Sequence, residues 1–121
     1  MRLWRSTMPA PNPPYYAVIF TSLHARGDGN GPRNLDGYEE MSRRMVEKVS
    51  KMPGFLGFDS ARGGDGLGIT VSYWQTREAI RAWRDDASHQ AAQARGREAW
   101  YSSFSVRIAE VLEDRRFGEE S

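Results

Sequence analysis

The sequence predicts an α+β domain with a ferredoxin-like fold, in the element order β-α-β-β-α-β. Short segments rich in β-branched and aromatic residues alternate with stretches whose apolar residues recur every three or four positions. A glycine-rich turn over 63–66 joins two of these segments as a hairpin. The 121 residues are enough for one modest core. We therefore expect a four-stranded antiparallel sheet with two helices on one face.

The composition excludes several classes of protein. No cysteine is present, which excludes a disulfide scaffold, cysteine-ligated zinc and thiol catalysis. The formal net charge of +1 is too small to favour nucleic acid or an acidic membrane as a partner. The longest apolar run, 15–20, is too short to cross a bilayer, and residues 1–14 have no apolar signal core. A cytoplasmic protein that binds neither nucleic acid nor membrane is expected.

The first strand is predicted over 15–23, between a tail and a glycine-rich loop. Residues 1–14 are rich in proline and are predicted to form a flexible tail without regular hydrogen bonding. The domain is expected to span 15–117, followed by a charged tail over 118–121. The strand carries apolar residues on both faces, which indicates that both faces are buried.

The first helix is predicted to begin at Asp36. Its carboxylate can cap the first turn together with Glu39, three residues further on. Methionines and valines at helical spacing form one apolar stripe, and Pro53-Gly54 ends the helix.

The hairpin and a second helix follow. Strands are predicted over 55–62 and 67–74, and Thr76 is the expected N-cap of the helix. This helix carries large apolar residues and small alanines on one face, breaks at Gly96 and continues briefly over 98–101. The fourth strand is predicted over 104–112.

The unpaired sheet face predicts a dimer. Two helices cover one face only, yet the first strand is apolar on both sides and Trp74 stands opposite an aliphatic row on the third strand. Exposed apolar faces of this kind mark interfaces. We expect a twofold homodimer whose sheets meet face to face as a dimeric α+β barrel. The sequence leaves open which sheet face meets the helices.

Three stretches within 15–117 carry a family resemblance: Pro53-Gly54-Phe55 with Gly57-Phe58, the strand end Val71-Ser72-Tyr73-Trp74, and the helix from Ile80 to Ser88-His89. Together they resemble the antibiotic-biosynthesis monooxygenase family. The resemblance implies a dimeric α+β barrel. Some members oxidise polycyclic phenols to quinones without metal, flavin or haem. The expected function is thus a cofactor-independent monooxygenase that acts with dioxygen on a small aromatic or polyphenolic molecule.

The chain departs from two branches of this family. The pocket tryptophan of the phenol-oxidising members matches Trp74, but their strand asparagine is Thr70 here and their helix tyrosine is Ile80. In the haem-degrading members the helix tryptophan matches Trp83, whereas the position of the axial histidine holds Gln93. A haem-binding protein and a non-catalytic ligand-binding or dimerisation module remain alternative interpretations.

The candidate site is a pocket between the sheet and the second helix, with Trp74 and Trp83 as walls and His89 at its mouth. An imidazole titrates near neutral pH and suits a general base. His89 could equally be a surface or capping residue, and the tryptophans could be ordinary core. No cofactor or metal site is predicted. The predicted catalytic residues are His89 and Trp74, and the predicted substrate-binding residues are Trp83, Thr70, Ser72 and Arg95.

Overall fold

A computed structural model describes residues 2–4, 12–24, 37–95 and 101–118. The elements in these ranges are β1 (Arg2–Trp4), β2 (Tyr15–His24), α1 (Tyr38–Val49), β3 (Phe55–Arg62), β4 (Leu67–Trp74), α2 (Arg77–Arg84), α3 (Ala87–Arg95) and β5 (Tyr101–Val111).

The five described strands belong to one antiparallel sheet in the order β1-β3-β4-β2-β5. The four strands after β1 have the ferredoxin-like arrangement, so the predicted fold class is confirmed. The central strand β2 pairs along its length with β4 on one side and β5 on the other. This pairing brings residues from distant parts of the chain onto the same sheet face.

The amino-terminal prediction differs from the structure at three residues. A tail without regular hydrogen bonding was expected over 1–14, but Arg2–Trp4 pair with Ser60–Arg62 at the edge of the sheet. The prolines of this segment begin at Pro9, so the residues before it keep the backbone N–H groups that a strand needs. The predicted four-stranded sheet therefore gains a fifth strand.

Helix α1 begins later than predicted, at Tyr38. Its N-cap is Gly37, which has a left-handed φ of 84° and makes no side-chain capping hydrogen bond. Glycine adopts this conformation without steric cost, so the chain turns into the helix at that position. The predicted cap, Asp36, lies outside the described residues.

The predicted second helix is in fact two helices. Thr76 caps α2 as predicted, since its Oγ1 accepts a hydrogen bond from the Ala79 N–H at 3.1 Å. The helix then ends at Arg84, and Asp86 starts α3 by accepting the His89 N–H at 3.1 Å. Aspartate favours such capping positions over helix interiors, which explains the break.

The last strand begins earlier than predicted. Residue Tyr101 was expected to end a helical continuation, but it opens β5 and pairs with His24 across a register shift. Packing of the Tyr101 and His24 rings, with centroids 5.6 Å apart, accompanies this pairing. The rest of the predicted continuation, residues 98–100, lies outside the described residues.

The sheet face that carries Trp74 meets the helices. The Trp74 side chain is 0% exposed and packs with Val49 of α1 and Ile80 of α2. We call this side the helix face and the opposite side the open face. On the open face Leu67 and Ile69 are 46% and 45% exposed. None of the described helices is long and apolar enough to cross a membrane.

Candidate functional site

The two predicted pocket tryptophans lie on the same side of the sheet. Trp83 packs against the core cluster that contains Trp74. The Trp74 ring also meets Phe55 edge to face, with centroids 5.2 Å apart. Because Trp74 has no exposed surface, it forms the base of this region, whereas the half-buried Trp83 lies nearer to solvent.

The predicted polar residues of β4 share the helix face with Trp74, and each already has a protein partner. The indole Nε1–H of Trp74 donates to Ser72 Oγ at 3.0 Å. The hydroxyls of Thr70 and Ser60 share a hydrogen bond of 2.8 Å across the hairpin. A hydroxyl offers one donor and two acceptor sites, so both side chains keep capacity for a further contact.

His89 lies flat on the ring of Trp83. The ring centroids are 4.5 Å apart, the planes differ by 12°, and His89 Nδ1 is 3.0 Å from the carbonyl oxygen of Trp83. A carbonyl oxygen only accepts hydrogen bonds, so Nδ1 must carry a proton. In the neutral ring the lone pair is then on Nε2. In this tautomer Nε2 is the atom that can accept a proton.

The surroundings of His89 keep its ring neutral near pH 7. Burial lowers the pKa of His89, while the Trp83 carbonyl and the Asp86 carboxylate act in the opposite direction. Asp86 also lies 3.5 Å from Lys48 Nζ at the end of α1. The start of α3 is therefore tied to both neighbouring helices, and His89 is held in place by backbone and side-chain contacts.

Helix α3 does not place Arg95 on the same side as His89. It is the exposed last residue of α3, six positions after His89. Six residues turn an α-helix by about 600°, so the two side chains leave α3 on different sides.

A second group of polar and aromatic residues occupies the other end of the helix face. His24 is 4% exposed, and its ring lies between those of Tyr38 and Tyr101, at centroid distances of 4.7 and 5.6 Å. The guanidinium carbon of Arg62 is 5.9 Å from the Tyr38 centroid and 6.0 Å from that of Tyr101. We call these residues, together with Ser22, the His24 cluster.

Hydrogen bonds and charge shape the His24 cluster. Arg62 donates to Ser22 Oγ at 2.6 Å and to the carbonyl oxygen of Gly66. The Tyr101 hydroxyl donates to that of Tyr38 at 3.3 Å. Burial, and then the positive charge of Arg62, lowers the pKa of His24 to about 4, and burial raises the pKa of Tyr101.

Few local sequence signals predict this cluster. Its members come from β2, α1, β3 and β5, and they meet because β2 pairs with strands on both sides. One usable signal was the position of His24 at the end of the first strand, on the same alternating face as Phe20 and Ser22.

The described part of the chain contains no candidate metal-binding site. No group of three or more histidine, aspartate or glutamate side chains there is arranged to hold a metal ion.

Comparison with known proteins identifies the family. Residues 32–95, just over half of the chain, match the model of the antibiotic biosynthesis monooxygenase family. The protein YqjZ of Bacillus subtilis is 49% identical over 109 residues, which cover 90% of each protein. This chain belongs to the antibiotic biosynthesis monooxygenase family, as the sequence resemblance implied, and it has the monooxygenase-type fold.

Two more distant proteins share the fold or part of the sequence. Jasmonate monooxygenase of Pyricularia oryzae is 23% identical over 108 residues, which are 86% of this chain and 46% of that enzyme. The chain thus spans about half the length of that enzyme. The structure of Rv0793 from Mycobacterium tuberculosis superposes with a TM-score of 0.66 at 14% identity, covering 84% of this chain and 99% of that one.

Proposed function

We propose that this protein is a cofactor-independent monooxygenase that oxidises an ionisable aromatic or polyphenolic small molecule with dioxygen. The observation that carries the proposal is the hydrogen bond of His89 Nδ1 to the Trp83 carbonyl oxygen, at 3.0 Å. It fixes the tautomer that places the lone pair of the neutral ring on Nε2, burial favours the neutral ring, and family membership supplies the reaction type.

Oxidation of a phenol by dioxygen requires a base and a site from which solvent is excluded, and it can proceed without a cofactor. Removing the proton of a phenol makes the ring electron-rich enough to reduce dioxygen. A phenol with an unsubstituted ring position then gives a quinone and water, with one oxygen atom entering the ring and the other leaving as water. The substrate supplies all four electrons. In this scheme His89 Nε2 accepts the phenolic proton, and the Trp83 ring shields the reacting atoms from solvent.

The other predicted residues take supporting roles. Trp74 has no exposed surface, so we assign it the positioning of the Trp83–His89 pair rather than contact with the substrate. Thr70 and Ser72 on the helix face remain proposed contacts for polar groups of the substrate. The substrate contact predicted for Arg95 stays a prediction, because Arg95 leaves α3 on a different side from His89.

The proposed enzyme acts as a homodimer through its open face. Leu67 and Ile69 leave nearly half of their surface exposed there. Sheets that carry such apolar rows pair with another surface. A second copy offers a self-complementary face, which closes the assembly with twofold symmetry.

Oxygen consumption tests this proposal. A panel of mono- and polyphenols is incubated with the purified protein in an oxygen electrode, without added metal, flavin or haem. We expect oxygen uptake that depends on protein, and a rate at least about 10²-fold lower in His89→Ala, the scale of a lost general base. The matched control is Gln90→Ala, at an exposed neighbouring position of α3.

The outcomes separate the alternatives. An unchanged rate in His89→Ala would remove His89 from the mechanism. Phenol binding without oxygen uptake would indicate a non-catalytic module. A tight one-to-one Soret shift with haemin that is lost in His89→Ala would favour a haem-binding protein.

A further inference from the structure

The His24 cluster contains a buried nitrogen without a partner. His24 is 4% exposed, and within the described ranges no group forms a hydrogen bond with its Nε2. Buried polar atoms in native proteins nearly always have a partner, and the exceptions point to an ion, a water molecule or a ligand that completes the site. This nitrogen can therefore form a hydrogen bond with a group outside the described part of the chain.

The charge of the cluster is also uncompensated in the described part of the chain. Arg62 is half-buried, and its contacts there are the Ser22 hydroxyl, the Gly66 carbonyl and the faces of Tyr38 and Tyr101. All of these groups are neutral. A cation removed from water is normally paired with an anion, so the electrostatics favour an anionic ligand.

The surroundings favour a flat ligand. Besides the two tyrosines, Phe20 lies 5.6 Å from Tyr101 and 5.4 Å from Phe104 between ring centroids. Aromatic rings prefer edge-to-face or offset contacts with other rings at such distances. Tyr38, Arg62 and Tyr101 are partly exposed, which gives a ligand a way in from solvent.

We propose that the His24 cluster is a binding site for a small aromatic anion, whose charged oxygen is held by Arg62 and by His24 Nε2 and whose ring packs against Tyr38 and Tyr101. The neutral His24 ring contributes an Nε2–H donor to the oxygen. A guanidinium and an imidazole N–H form charge-assisted hydrogen bonds with an ionised oxygen.

This site is separate from the region around His89. Trp74 pairs with Tyr16, eight residues before His24 on β2, so the two ends of the helix face are about 26 Å apart at about 3.3 Å per residue. The proposal consequently does not depend on the monooxygenase reaction.

Anaerobic equilibrium dialysis with 4-nitrophenolate tests the proposal, because without oxygen no turnover can interfere. We expect a saturable binding component that is at least about tenfold weaker in Arg62→Gln and at least about tenfold weaker for the neutral analogue 4-nitroanisole. Arg84→Gln, which removes an exposed arginine of α2, should leave binding unchanged and serves as the control.

Proton NMR gives a second readout that needs no change in the cluster. The chain has two histidines, so His89→Gln leaves His24 as the one imidazole to follow. An anion beside Nε2 should raise the His24 pKa from its value of about 4. Unsaturable binding, equal binding in Arg62→Gln, or a His24 titration unmoved by the ligand would overturn the proposal and leave an ordered water molecule as the partner of Nε2.

Discussion

The imidazole of His89 stacks on the indole of Trp83, and its Nδ1 lies 3.0 Å from the carbonyl oxygen of the same residue. In a continuous helix, residues six apart would be about 9 Å apart along the axis and on different sides. The break at Asp85-Asp86 removes this restriction. One pair of residues thereby sets both the orientation and the tautomer of the proposed base.

The cap of α3 should control this geometry. We expect Asp86→Ala to lower the free energy of unfolding by about 1 kcal/mol, because the His89 N–H loses its acceptor. The rate of phenol oxidation should fall by a larger factor than the loss of folded protein explains, because the orientation of His89 is then less restricted. Urea unfolding and oxygen uptake measure the two effects. Asp85→Ala, at an exposed surface pair with Arg84, should change both by little, and equal effects of the two variants would refute this role for Asp86.

Removal of the hydrogen bond between Trp74 and Ser72 should lower the free energy of unfolding, because it leaves a buried donor unpaired. We expect Ser72→Ala to destabilise the protein by about 1–3 kcal/mol, because the fully buried indole N–H keeps no acceptor. In a Trp74→Phe background the same change should cost much less. Denaturant unfolding of the four proteins in this cycle measures the coupling, and additive effects would show that the Trp74 and Ser72 side chains are not coupled.

Acid should destabilise the protein through His24. Its pKa in the folded protein is about 4, below the value of about 6.5 expected when unfolded. Between these values the unfolded chain binds more protons, so stability is full above about pH 7 and falls as the pH decreases. We expect a loss of about 2 kcal/mol from pH 7.5 to pH 5 from this residue. Unfolding in urea at both pH values should show a shallower dependence in His24→Gln, and an unchanged dependence would contradict the assignment.

The two faces of the sheet should respond differently to a charge. Ile69 lies on the open face, whereas Val18 packs against the Trp74 core. We expect wild-type protein to scatter light as twice the chain mass of 13.7 kDa, and Ile69→Lys to remain folded but monomeric. Val18→Lys should unfold the chain, because it buries a charge beside the core. A monomeric wild type with a native spectrum would contradict the proposed dimer.

Local signals in the sequence predicted much of the fold. The hairpin strands β3 and β4 have their predicted bounds, and the cap at Thr76 is confirmed, because alternation, turn glycines and capping residues act over a few positions. The break before α3 was also a local signal, the aspartate pair at 85–86, but the alanine-rich pattern around it favoured one helix. The strand Arg2–Trp4 depends on pairing with a distant edge, which no local pattern encodes.

The candidate site was less predictable than the fold. Trp83 and His89 were predicted to line one pocket from a single continuous helix, but their ring stacking depends on the helix break. The choice between the two faces of β4 depends on how the helices pack over the whole sheet. The His24 cluster combines groups from four elements, so it exists only once the strand register is set.

Isotope labelling shows whether oxygen from dioxygen enters the product. The protein, without added cofactor, is incubated with a phenol that it consumes under ¹⁸O₂, and the quinone is analysed by mass spectrometry. We expect one ¹⁸O atom per product molecule, the second oxygen atom released as labelled water, and loss of both signals in His89→Ala. Product that carries oxygen from solvent alone, or no oxygen uptake with any phenol of the panel, would contradict the proposal that this protein is a cofactor-independent monooxygenase.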